Sequence, residues 1–195
     1  MNQHALMQVM YGPLGYAHPD HRTVAGIELA RMPSDTANQW LIDHHRLDTA
    51  IDFDWRDAPF ARRCIDHWAR LPRIAFLIGV QRLRVPLVEH GRYVRLDPSS
   101  QRFLCVPLAA VPKAACAGAP DDDAVVAAGS ACIAAALRDA PRALRQRLPL
   151  LFPRAHATRL DSELGHARDD ARVVWSPTLF SFAVNHALLD PEPVS

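Results

Sequence analysis

LPRIAFLIGVQRLRVPLVEHGRYVRLDPSSQRFLCVPL, residues Leu71 to Leu108, is the stretch on which the fold turns. Ile74, Leu77, Ile78, Val85 and Val88 fall at offsets 0, 3, 4, 11 and 14, the spacing of one helical face, and Gln81 is the only polar residue on that stripe. Phe76, Leu83 and Leu87 make the far side apolar too, while Arg73, Arg82, Arg84 and Glu89 line the flanks. A helix apolar on two sides is a buried, central one. Pro86 lacks an N–H and clashes with the carbonyl four residues back, costing ~3 kcal/mol in a continuous helix. The helix therefore either kinks there, or ends near Arg84 and restarts with Pro86 in its first turn. Gly79 either admits a second helix closely or is simply tolerated. Gly91 stands where a C-terminal cap needs a left-handed residue, with His90 in the turn before it. Asp97-Pro98 reads as an N-cap carboxylate followed by a first-turn proline, and Phe103 and Leu104 are buried from the helix it opens. The prediction is a central helical hairpin in a mostly α, compact single domain with little or no β.

Upstream, the first 33 residues read as irregular. Gly12-Pro13 and Gly15 break any helix begun by Leu6 to Met10, and Pro19 pushes His18 out of the helical region. Val24 to Met32 predicts a short helix ended by Pro33. Ser34 or Asp35 caps the next, which carries Trp40, Leu41 and Leu47. Asp48 to Asp57 predicts a loop whose Ile51, Phe53 and Trp55 plug the core. Asp57 and Pro59 open a helix to about Arg70, with Phe60, Cys64, Trp68 and Leu71 facing inward.

Downstream, residues 106–120 form a loop of prolines and alanines, the candidate subdomain junction within a helical domain spanning 1–195. Asp121 to Asp123 then complement the dipole of an alanine-rich helix, Ala124 to Leu137. Pro141 starts a short basic helix, Arg142 to Leu148. Asp161 or Ser162 caps a polar helix reaching about Arg172. Ser176-Pro177 opens the last, with Leu179, Phe180, Ala183, Ala187 and Leu188 on its apolar face.

Composition narrows the function classes. At 49% hydrophobic and 22% charged, 195 residues make an ordinary globular chain. No apolar run reaches the ~18 residues that span a bilayer, and the N-terminal residues lack a secretion signal, so the expected compartment is the cytoplasm. A net charge of +1 supplies no field that implies nucleic acid or membrane. Lys113 is the only lysine, which together with the abundant alanine reads as codon bias from a GC-rich genome. Cys64, Cys105, Cys116 and Cys132 contain no C-x-x-C pair; Cys64 and Cys132 read as small buried thiols.

Three constellations carry candidate chemistry. Asp43, His44, His45, Asp48, Asp52 and Asp54 form the densest metal-capable cluster, with His44 and Asp48 at i, i+4; no H-E-x-x-H or comparable signature accompanies them, and a solvated helix end followed by a polar loop is the preferred reading. His18-Pro19-Asp20-His21 holds a candidate acid and base, but the sequence offers no nucleophile, phosphate loop or oxyanion turn beside it. The arginines Arg138, Arg142, Arg145, Arg147 and Arg154 form a basic set, read as a solvated face or as a patch that orients a protein partner. Two further classes stay open: a small metal-dependent hydrolase on Asp43, His44 and Asp48, and an arginine-rich DNA-binding regulator, whose affinity would fall steeply with salt.

Tyr16-Ala17-His18-Pro19, then Leu77-Ile78-Gly79 through His90-Gly91 and Arg95, then Arg145-Gln146-Arg147-Leu148-Pro149-Leu150 together resemble one family. It is the sorting-platform accessory protein of bacterial type III secretion systems, the SctK kind, to which YscK and PscK belong. The long alanine-rich loop and near absence of lysine depart from that pattern. The resemblance implies a helical, cytoplasmic, non-enzymatic adaptor without a cofactor, bridging the cytoplasmic domain of the inner-membrane ring protein (SctD type) and the pod or C-ring protein (SctQ type). It implies no nucleic-acid partner and membrane association only through other proteins. Arg138, Arg142, Arg145 and Arg147 are the candidate partner-binding residues.

Overall fold

A computed structural model describes residues 3–51, 53, 59–108, 118–165 and 176–190. Among them run ten α-helices: α1 (Gln3–Tyr11), α2 (Ser34–His44), α3 (Pro59–Asp66), α4 (Leu71–Arg82), α5 (Arg84–Glu89), α6 (Pro98–Leu104), α7 (Asp122–Ala136), α8 (Arg142–Arg145), α9 (Arg154–Gly165) and α10 (Pro177–Ala187). The single described sheet, β1 (Thr23–Val24) with β2 (Ile27–Glu28), has two residues per strand, so the protein is mostly α, as the periodicities imply. The fold divides into two compact units. One draws on Met1–Ala69 and Ala136–Arg168, the other on Arg70–Ala135 and Asp169–Val194. Most of the 106–120 loop lies outside the described residues.

The second unit contains the hairpin. The helix stops at Arg82 and restarts at Arg84, with Pro86 in the new first turn, where its missing N–H is harmless. Gly91 takes the left-handed conformation at φ 64°, and the Asp97 carboxylate caps α6 by accepting from the Ser100 N–H at 2.9 Å. Gln81, the polar interruption on the stripe, is buried and donates to the carbonyls of Phe103, in the last turn of α6, and of Val106, just past it. Ile74, Leu77, Ile78 and Phe103 are fully buried, and α4 packs against both α6 and α10.

Helix α7 crosses α4 at two glycines. A methyl group at Gly79 would sit 1.9 Å from the Val125 carbonyl oxygen, and one at Gly129 would sit 1.7 Å from that of Ala75. Of the two readings of Gly79, close approach is therefore the right one. Near the start of α4, Arg73 reaches Asp97 through two 2.9 Å bonds and Asp190 at 2.6 Å. Burial works against the Asp97 carboxylate, but the hydrogen bonds from Arg73 and Ser100 outweigh it and hold the group well below the usual carboxylate range.

The first unit gathers α1, α2, α3, α8 and α9 around short 3-10 turns at Pro13–Gly15, Pro19–His21 and Pro149–Leu151. Ala17, Val24, Leu29, Ala37 and Leu41 form one core cluster, with Leu14, Met32 and Trp40 against it. Residues 24–32 are not the expected helix. Ala25 (φ 49°) and Gly26 (φ 80°) both turn left-handed, the signature of a two-residue hairpin, and a 3-10 turn at Leu29–Arg31 follows. The sheet register pairs Val24 with Ile27 and buries Val24.

Several boundaries also move. No side chain caps α2: Ser34 is its first residue, and Pro33 precedes it with an extended ψ of 135°. The basic helix ends at Arg145, because Pro149 leads into a 3-10 turn. Helix α9 starts at Arg154 rather than near Asp161 and Ser162, which fall in its last turns, and the rest of that expected helix lies outside the described residues. Ser176 caps α10 as expected, accepting from the Leu179 N–H at 3.3 Å. Leu188 lies past the helix end and is half exposed, whereas Val184 is buried. Of the three proposed core plugs, Ile51 is 46% exposed, Phe53 half-buried and Trp55 outside the described residues.

Candidate partner-binding residues and the arginine in the first unit

The C-terminal turn of α1 leaves carbonyls that its own helix cannot satisfy. Gly12 N–H takes that of Gln8, and the Tyr16 hydroxyl donates to that of Val9 at 2.9 Å. The Met10 carbonyl receives Arg147, whose Nη2 donates at 2.7 Å. The same guanidinium donates through Nη1 to the carbonyls of Asp48 at 2.7 Å and Ala143 at 2.8 Å. Arg147 is 0% exposed, and burial pulls its pKa below the usual value, opposed by the nearby Tyr16, Asp48 and Tyr11. Burial pushes the Tyr16 hydroxyl pKa up, an effect that Arg147 partly offsets, and the Tyr16 ring meets Trp68 edge-on at 6.1 Å.

Two motifs separated by more than a hundred residues are joined here. The His18 N–H donates to the Leu150 carbonyl at 2.8 Å, and Gln146 Oε1 accepts from the Asp48 N–H at 2.9 Å. Farther along, Arg154 donates from Nε to the Asp20 carbonyl and from Nη2 to the Thr23 carbonyl, both at 2.9 Å. The Tyr16–Pro19 element and the Arg145–Leu150 element are thus neighbours that lace the first unit together.

Arg147 accordingly leaves the partner-binding set, because a fully buried guanidinium held by three carbonyls of its own unit cannot present charge outside. Arg142 is exposed, while Arg138 and Arg145 are half-buried. The apolar run around it, Leu144, Leu148, Leu150 and Leu151, is the sequence hint of that burial.

The histidines divide among separate duties. His18 Nδ1 accepts from the Asp20 N–H at 3.2 Å and caps its own turn. His21 is buried, its Nε2 donating to the Phe152 carbonyl at 3.0 Å, which assigns the proton to that nitrogen. Its ring meets His45 at 5.7 Å, and His45 meets His44 at 4.9 Å. Burial, reinforced by His44, His21 and Arg154, brings His45 down to about 4; burial also lowers His21. Asp43 accepts from Gln39 at 2.8 Å, and Asp48 from the Ala50 N–H at 3.0 Å. Among the described residues no three His, Cys, Asp or Glu side chains converge to hold an ion; Asp52 and Asp54 lie outside them. Cys64 and Cys132 are buried, Cys105 is exposed and Cys116 lies outside the described residues.

The second unit exposes what the periodicity assigned to the core. Val85 and Val88 are 42% and 48% exposed, and Tyr93 and Val94 in the next turn are 42% and 60% exposed. The break at Leu83 explains it: a helical stripe counted across a non-helical residue loses its phase.

The chain belongs to the bacterial type III secretion apparatus protein family OrgA/MxiK, whose family model matches residues 6–189. That bears out the resemblance to the SctK kind. It is 28% identical over 147 residues, 75% of this chain and 73% of the relative, to the oxygen-regulated invasion protein OrgA of Salmonella typhimurium strain LT2. The same figures hold for strain SL1344. No solved structure matches. No helix among the described residues is long and apolar enough to cross a membrane.

Proposed function

We propose that this protein is a non-enzymatic adaptor of its secretion apparatus. It works at the cytoplasmic face, joining the cytoplasmic domain of an SctD-type inner-membrane ring protein to an SctQ-type pod protein and so supporting effector export. The family match across residues 6–189 carries this reading. The geometry supports it through the division of labour among cations: Arg147 is buried, Arg73 and Arg154 are held by hydrogen bonds within their own units, and Arg142 is exposed. Arg138, Arg142 and Arg145 remain the proposed contacts of the first unit, since arginine is enriched at interfaces. Co-expression with the pod and ring proteins, followed by purification through a tag on this chain, tests the proposal. Recovery of both partners is expected, and Arg142→Glu with Arg145→Glu weakens the recovery of one of them. Recovery of neither would remove the adaptor reading.

A further inference from the structure

We propose that residues 84–95 are a docking element for an acidic, amphipathic helix on a partner protein. The inference rests on the adaptor reading and assigns it a second contact, in the other unit. Its basis is composition set against placement. Val85 and Val88 lie three apart on one face of α5, and Tyr93 and Val94 occupy the turn that packs against that helix. All four are between 42% and 60% exposed, although the opposite face of the same segment, through Leu83, Leu87 and Leu96, is buried in a core cluster with Val80 and Val125. The segment is therefore held rigidly from behind while its outer face keeps core-type residues.

Charge supplies the rest. Arg84, Arg92 and Arg95 flank these residues against the single carboxylate of Glu89, and none of the three arginines has an ion-pair partner among the described residues. Two other arginines of this unit, by contrast, are tied down: Arg73 to Asp97 and Asp190, Arg82 to the Ala128 carbonyl. Free guanidinia around a small apolar strip fit a helix with an apolar stripe and acidic flanks, since exposed charges steer and orient while the apolar centre supplies most of the affinity. Glu89, within the strip, disfavours an anionic lipid surface and can be matched by a cation on a protein helix.

The test uses the full chain with purified pod protein and, separately, the ring protein's cytoplasmic domain. The expected result is that one of the two binds, protects the amides of residues 84–95 from hydrogen exchange, and does so less tightly as salt rises. Val88→Asp or Tyr93→Ala weakens that binding about tenfold or more, Arg92→Glu with Arg95→Glu weakens it comparably, and circular dichroism stays unchanged. Undiminished binding by correctly folded variants overturns the docking element and leaves the adaptor reading standing. Binding of neither partner by the wild-type chain removes both. Two further outcomes also overturn the proposal: a dimer of this chain that Val88→Asp dissolves, or binding of residues 84–95 to phosphatidylglycerol vesicles in preference to either protein.

Discussion

A guanidinium without water must find acceptors in fixed directions, and Arg147 finds them on three chain segments at once: Met10, Asp48 and Ala143. Arg147→Ala strands the buried carbonyls of Met10 and Ala143 and the part-buried one of Asp48, and a buried carbonyl costs about 1–3 kcal/mol when left unpaired, so a loss of roughly 2 kcal/mol or more is expected from urea unfolding. Arg147→Lys keeps the charge but replaces a planar fork by a point donor, and it should recover only part of that loss. If both variants matched the wild type, the buried network would be incidental. The histidines make a second prediction. An unfolded His45 titrates near 6.5, whereas in the fold it takes a proton only near 4. The unfolded chain then holds more protons in this window, so stability is complete above pH 6.5 and declines as pH falls towards 4. His21, lowered in the same direction, adds to the slope. Asp97, depressed by Arg73 and Ser100, contributes its own decline as pH falls through the ordinary carboxylate range and on below it. Denaturation midpoints measured from pH 7.5 to 4.5 check this, and His45→Gln should flatten the curve.

At the level of the helix, the crossing of α4 and α7 is the most demanding contact. An alanine in place of Gly79 gains about 1 kcal/mol of helix propensity. Its methyl, however, meets the Val125 carbonyl oxygen at 1.9 Å, well inside contact distance, and overpacking of this kind costs about 1–3 kcal/mol or more. The steric term wins, so Gly79→Ala and Gly129→Ala should each lower the melting temperature. Gly15, which has open space around it, is the control and should tolerate alanine. Elements of this kind were legible where the signal is local. Pro86, Gly91, Asp97-Pro98 and Ser176-Pro177 mark boundaries through their own backbone chemistry, and the structure follows them. Legibility failed where distant contacts decide. Ala25, Glu28, Leu29 and Ala30 suit a helix, yet the chain turns at Ala25-Gly26 so that Val24 and Leu29 can enter a core with Leu41. Arg147 reads as surface charge because its acceptors lie up to 137 residues away. Val85 and Val88 were misplaced because one non-helical residue, Leu83, reset the count.

For the molecule as a whole, the family could be reached from three short motifs, and two of them prove to be one physical object, joined by the His18–Leu150 bond. What the exposed side chains grip is a matter of partners, which a lone chain records only as uncovered valines and idle arginines. The interleaving of the two units, one built from residues on either side of the other, has a temporal consequence. A nascent chain that has emerged as far as Ala69 still lacks the arginine that secures α1. Synthesis at about 5–20 residues per second makes it wait several seconds for Arg147. During that interval Leu6, Val9 and Met10, buried in the finished protein, have no complete core to enter. A fragment ending at Ala135 should therefore be captured by chaperones or precipitate, while co-expressing residues 136–195 as a separate piece should restore a protease-resistant species. The order in which the halves leave the ribosome sets when this subunit first becomes fit to join an assembly.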